Sequence, residues 1–422
     1  MARSMRVLAA SASLILLLAI GNAPRSESQP VSFSRETVAS GLEWPVSFAF
    51  SPDGRIVYSE RFTGRIRIIS GGAVQAGEVG NVSVETAGEQ GLLGLALDPD
   101  FEMSAWVYVY HTYRSESIGD VMNRVWRFPA GGPPSGASES VLDGIPAGTF
   151  HNGGILGFAP DKTLFITTGD TTTGGNSQDP LSLAGKVLRV HRDGSVPSDN
   201  PFPGSPVFTL GHRNVFGLAF HPGTGLAYVS ENGPSADDEV NVLDAGANYG
   251  WPVVLGSAND SRFHDPILTF PSVIAPTGLA FYVGRVSAWG HSLFLGDWNR
   301  GVLQRIVLAA PEYRTVLATE TIVDGSAGIL DVEMGPDGFL YFSTPDAIYR
   351  LRAQDADGIL PFVAFGVVAF AAIAGASWVV LRLRRYRASG RAPEPKTASP
   401  TALKPRSGYR VSNRITGPHG RG

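Results

Sequence analysis

Four polar side chains scattered through this sequence have the chemistry of a proton-transfer site. They are Glu89, His151, Arg213 and Asn214, each placed just ahead of a short apolar run. A neutral imidazole is a base, and a cation at its side favours that neutral form. A guanidinium also holds negative charge that develops on a neighbouring group. The competing reading is that these residues only satisfy loop backbone groups. What separates the two is whether the fold brings the four together.

The apolar runs that follow them repeat. They cover 46–50, 92–97, 155–159, 217–220, 278–282 and 330–334, at spacings of roughly 45 to 65 residues, near the period of propeller blades. Five of the six lead into a related turn, as in Ser51-Pro52-Asp53-Gly54 and Gly335-Pro336-Asp337-Gly338; the fifth unit has Val283-Gly284 instead. Proline presets φ for the turn, and Asp and Gly supply its hydrogen bond and its permissive backbone. A second strand follows each turn and a third follows in most units, with no helix between, which excludes a parallel α/β arrangement. The pattern predicts an all-β, six-bladed β-propeller over residues 31–353, closed by pairing of 31–38 with the last unit. In such a ring the loops ahead of the innermost strands share one axial mouth. Those loops are Glu43-Trp44-Pro45, Glu89-Gln90, His151-Asn152, His212-Arg213-Asn214, Ala275-Pro276-Thr277 and Ala327-Gly328.

The 422 residues contain 51 Gly, 30 Pro and no Cys, so disulfides and thiolate metal sites are excluded. Arg3 and Arg6 precede an apolar stretch that ends near the small residues Gly21 and Ala23, a signal-like segment over residues 1–28. Residues 359–381 carry no charge and are long enough to span a bilayer. Arg382, Arg384, Arg385 and Arg387 follow directly and orient that span with its C-terminus in the cytoplasm. The tail 382–422 is basic and of disordered composition, with eleven Lys and Arg against Glu394. The net charge of −4 therefore leaves the body near about −16, which argues against a nucleic-acid partner. The chain reads as a single-pass protein of the cell membrane with its propeller outside the cytoplasm.

At several loops the chain resembles the glucose/sorbosone dehydrogenase family, the soluble aldose dehydrogenases that use pyrroloquinoline quinone (PQQ). The segments that carry the resemblance include Gly88-Glu89-Gln90-Gly91-Leu92-Leu93-Gly94, Phe150-His151-Asn152-Gly153-Gly154 and Gly211-His212-Arg213-Asn214. Glu231-Asn232-Gly233-Pro234 and Ala247-Asn248-Tyr249-Gly250-Trp251-Pro252 extend it. The resemblance implies oxidation of a sugar at the anomeric hydroxyl, with hydride passing to the quinone and electrons leaving to an acceptor outside the cytoplasm. It makes His151 the base and Arg213 the cation beside the quinone. Asn214, Glu89 and Asn299 become further cofactor-binding residues, and the carbonyls of Gly233 and Pro234 become ligands of a calcium ion. Asp237, Asp238 and Glu239 add negative charge nearby or form a solvated turn. The chain departs from the family pattern where PQQ carboxylates are held. Asn299 stands at a lysine position, and Gly328 and Leu330 stand at two arginine positions. Arg300 and Arg285 are the candidates to compensate from a shifted position. The alternative is a propeller that binds a carbohydrate or protein without redox chemistry.

Overall fold

The computed structural model describes residues 33–131 and 138–353. The signal-like segment, the 359–381 span and the basic tail lie outside them. Among the described residues, no helix is long and apolar enough to cross a membrane.

The described chain forms six four-stranded antiparallel sheets. Their innermost strands are Pro45–Phe50, Leu92–Leu97, Gly153–Phe158, Val215–Phe220, Pro276–Phe281 and Val332–Met334. These are the runs the sequence repeats. Five of the blades also have an outermost strand that the sequence pattern did not reveal, such as Ala73–Asn81 or Val316–Val323. Both of these are largely exposed, so no apolar alternation marks them. The sixth blade takes its outer strand from the start of the chain. Phe33–Ser40 pairs with Ala347–Ala353, from Phe33 opposite Ala353 to Ser40 opposite Ala347, and the ring is closed as expected.

Burial explains why both faces of each strand are apolar. In the second blade, Val107 and Val109 pack toward the first blade, while Tyr108 and Tyr110 pack toward the third. One apolar cluster fills each gap between neighbouring blades, from Val57 with Leu92 around to Ile348 with Phe48. At two close approaches between innermost strands only glycine fits. A methyl group on Gly94 would strike the carbonyl of Gly154, and one on Gly217 the carbonyl of Thr277.

Five innermost strands slip register at the same end. The breaks fall between Pro45 and Phe48, Leu92 and Gly94, Gly153 and Leu156, Val215 and Gly217, and Pro276 and Leu279. A bulge inserts a residue and re-aims its side chain. The residues in these breaks include Val46, Leu93, Ile155, Phe216 and Thr277, and all five line the axial cavity. The irregularity therefore shapes the mouth.

Asp331 fastens the last blade to the first. Its carboxylate accepts the Phe48 N–H at 3.0 Å and the Val332 N–H at 2.9 Å. Burial pushes this carboxyl up to about 7 from its ordinary 3.8. The folded state therefore keeps a proton that the unfolded chain releases. Its contribution to stability is fully present below pH 3.8 and is lost as pH rises through about 7. Urea unfolding of the wild type is expected to show this decline between those values, and Asp331→Asn to reduce it, the remainder belonging to Glu333, whose pKa burial and the neighbouring Asp331 also raise; parallel curves would show that Asp331 contributes none of it.

Candidate active site

His151 sits in the loop ahead of the third innermost strand with φ of 59°, a left-handed conformation uncommon outside glycine. Two contacts hold it there. Its N–H donates to Glu89 Oε2 at 2.7 Å, and its carbonyl accepts from Thr171 N at 3.1 Å. Gly169 allows this approach, because a Cβ there would strike the His151 carbonyl.

The imidazole lies between an acid and a cation. Nδ1 is 2.7 Å from Asp170 Oδ1, and Nε2 is 3.0 Å from Arg213 Nη2. Asp170 is 1% exposed, and its carboxylate also accepts from Thr172 N at 2.7 Å and Trp251 Nε1 at 2.8 Å. A carboxylate only accepts and a guanidinium only donates. These partners assign the ring proton to Nδ1 and leave a lone pair on Nε2. That is the tautomer a base requires.

Arg213 is fixed from behind. Its N–H donates to Glu231 Oε1 at 2.5 Å, its Nη1 donates to the Asn232 carbonyl at 2.8 Å, and its guanidinium lies 5.4 Å from the Trp251 ring. Burial lowers its pKa, and the carboxylates of Asp170, Glu231, Glu89 and Asp238 oppose that shift. His212, next to it, is turned inward at 0% exposure, bonded to Glu231 and Thr209 and stacked on Tyr249. Asn214 donates to Glu89 Oε2 at 3.2 Å and accepts from Gly153 N at 3.2 Å. Glu89 thus ties the His151 loop to the Arg213 loop.

Glu89, His151, Arg213, Asn214, Asn299 and Gly233 all line one axial cavity of about 500 Å³. Pro234 adjoins Gly233 and is exposed. Neither carbonyl of this pair accepts a hydrogen bond among the described residues. Asn152 faces away, bonded to Asn123 and Gly148. Asp238 is buried and accepts N–H groups of Gly233, Ile274 and Ala275, so it braces the Gly233 turn from within. Among the described residues, no three acidic or histidine side chains are grouped to hold a metal.

Asp170 and Arg61 escaped the sequence reading, and Trp251 entered it only within a family-like segment, without a role. Asp170 and Arg61 follow second strands, and those connections open at the same mouth as the loops ahead of the innermost strands. Trp251 arrives on a long excursion between the third and fourth strands of its blade. The two candidate cations are elsewhere. Arg300 is bound to the fully buried Asp297 at 2.6 Å, and Arg285 donates to the Asp337 carbonyl and lies over Phe339. Neither lines the cavity.

The sequence pattern of the glucose/sorbosone dehydrogenase family matches residues 42–351, the whole ring except its outer closing strand. The chain belongs to that family. Quinoprotein glucose dehydrogenase B of Acinetobacter calcoaceticus is 32% identical over 292 residues, covering 61% of this chain and 61% of that protein. An aldose sugar dehydrogenase of Escherichia coli is 26% identical over 351 residues, covering 75% and 91%. The PQQ-bound aldose sugar dehydrogenase of Streptomyces coelicolor superposes with a TM-score of 0.68 at 34% identity, covering 78% of this chain and 100% of that one. This glucose/sorbosone dehydrogenase family member has the polar constellation around His151 and carries no charge at 299, 328 or 330.

Proposed function

We propose that this protein is a PQQ- and calcium-dependent dehydrogenase that oxidises an aldose at its anomeric hydroxyl. The observation that carries this reading is His151, held between Asp170 and Arg213 with Nε2 free of a proton. Nε2 takes the hydroxyl proton, and Asp170 stabilises the imidazolium through Nδ1–H. Arg213 faces the negative charge that develops beside it.

The cavity fits the cofactor in shape. Its size and its Trp44, Phe216 and Trp298 walls suit a flat ring system beside a sugar. Arg213, Asn214 and Asn299 offer donors, and the carbonyls of Gly233 and Pro234 are oxygen ligands of the kind calcium takes. When bound, the quinone supplies the two-electron acceptor and calcium polarises it. The sequence of 359–381 and its arginine flank support a propeller tethered outside the cell membrane, passing electrons to an acceptor in that compartment. One observation favours a non-catalytic binder instead, the uncharged Asn299, Gly328 and Leu330.

Full-length protein in detergent is expected to bind PQQ only with calcium present and then to reduce a dye when an aldose is added. A chelator should abolish both. Absence of quinone binding at any calcium concentration would leave the binder reading standing.

A further inference from the structure

Positions 299, 328 and 330 carry no charge here, but the structure brings a second guanidinium into the cavity. Arg61 follows the second strand of the first blade, Ile56–Glu60, and lines the same cavity as Arg213. Its backbone is clamped at both ends, N–H to the Trp44 carbonyl at 3.2 Å and carbonyl to Leu92 N at 2.9 Å. Nε donates to the Gln90 carbonyl at 3.2 Å and Nη2 to the Gly88 carbonyl at 2.5 Å. Gly91 is bare beneath it, since a Cβ there would stand 2.6 Å from the Arg61 carbonyl oxygen and 2.7 Å from its Cγ. The guanidinium carbon lies 4.6 Å from the centre of the Phe62 ring and 5.5 Å from that of Trp44.

What Arg61 lacks is a counter-ion. Most arginines of the ring meet a carboxylate, as Arg65, Arg189, Arg300 and Arg350 do. Arg61 forms no ion pair among the described residues, and its Nη1 has no partner there. Burial lowers its pKa, with only Glu89 acting against that. Glu89 is itself committed to His151 and Asn214. A partly desolvated cation without a counter-ion is costly unless an anion joins it. Its fork geometry and fixed position suit a carboxylate.

We infer that Arg61 binds a carboxylate of the quinone cofactor, supplying from the first blade a positive charge that positions 299, 328 and 330 do not. The identity of the ligand rests on the proposed function. In calcium-loaded full-length protein, PQQ titrations followed by quenching of tryptophan fluorescence should give a Kd at least about tenfold higher for Arg61→Met than for the wild type. The salt dependence of Kd should fall in the variant. Asn299→Lys added to Arg61→Met should recover affinity by restoring a cation. Should Arg61→Met not fold, Arg61→Gln keeps a donor for the Gly88 carbonyl and carries the test. Wild-type binding that is unchanged in these variants overturns the inference and leaves the functional reading intact. So does an unchanged Kd with a raised KM for sugar, which would put Arg61 on the substrate. No quinone binding by the wild type overturns both.

Discussion

Asp170→Asn is expected to lower kcat for sugar oxidation by about 10³-fold while leaving quinone affinity unchanged. The carboxylate of Asp170 can only accept, so it keeps the ring proton of His151 on Nδ1. An asparagine can present N–H instead, which stabilises the opposite tautomer and puts the proton on the nitrogen that must act as base. The loss should appear in single-turnover reduction of the bound quinone, and nitrogen NMR of the imidazole should report the tautomer. A folding defect alone would move neither the tautomer of the folded protein nor the ratio of single-turnover rate to quinone bound. Activity within a few-fold of wild type would show that Asp170 does not hold the tautomer of the base and that Arg213 suffices.

Gly217→Ala should cost about 3 kcal/mol of stability, a large part of what a typical domain has. The added methyl would strike the Thr277 carbonyl on the next blade, with Ser230 Oγ also in its way. Ser230 donates to that same carbonyl at 2.6 Å, so one substitution disturbs both the approach of two strands and the bond that fixes it. Backbone lines the collision, and backbone cannot rotate aside as a side chain does. Gly175→Ala is the control, since nothing lies within 4 Å of a Cβ there. Urea unfolding should separate the two, and equal midpoints would show that the blades yield more easily than their packing implies.

The sequence disclosed the innermost strands because they are largely apolar and five of the six end at a Pro-containing turn. It concealed the outermost ones apart from the closing strand, because strands such as Ala73–Asn81 lie mostly in solvent and leave no pattern. The site was legible to the same extent. Equivalent repeat positions placed Glu89, His151, Arg213 and Asn214 together, and one cavity does contain them. Asp170 and Arg61 were passed over although antiparallel alternation puts the connection after a second strand at the same end of the sheet. Counting that second tier of loops would have found both. Trp251 had no such rule, since its 25-residue neighbourhood between the strands Asp238–Val242 and Leu268–Phe270 follows no repeat.

The closure of the sixth blade has a mechanical consequence. The strand Phe33–Ser40 begins beside the residue where Ala347–Ala353 ends, with Phe33 opposite Ala353. Force applied through these two positions pulls the pair apart from one end, so its hydrogen bonds fail one after another rather than together. Load carried across these two positions meets the least resistant geometry that an antiparallel pair offers. The seam that completes the ring is therefore also where tension would open it.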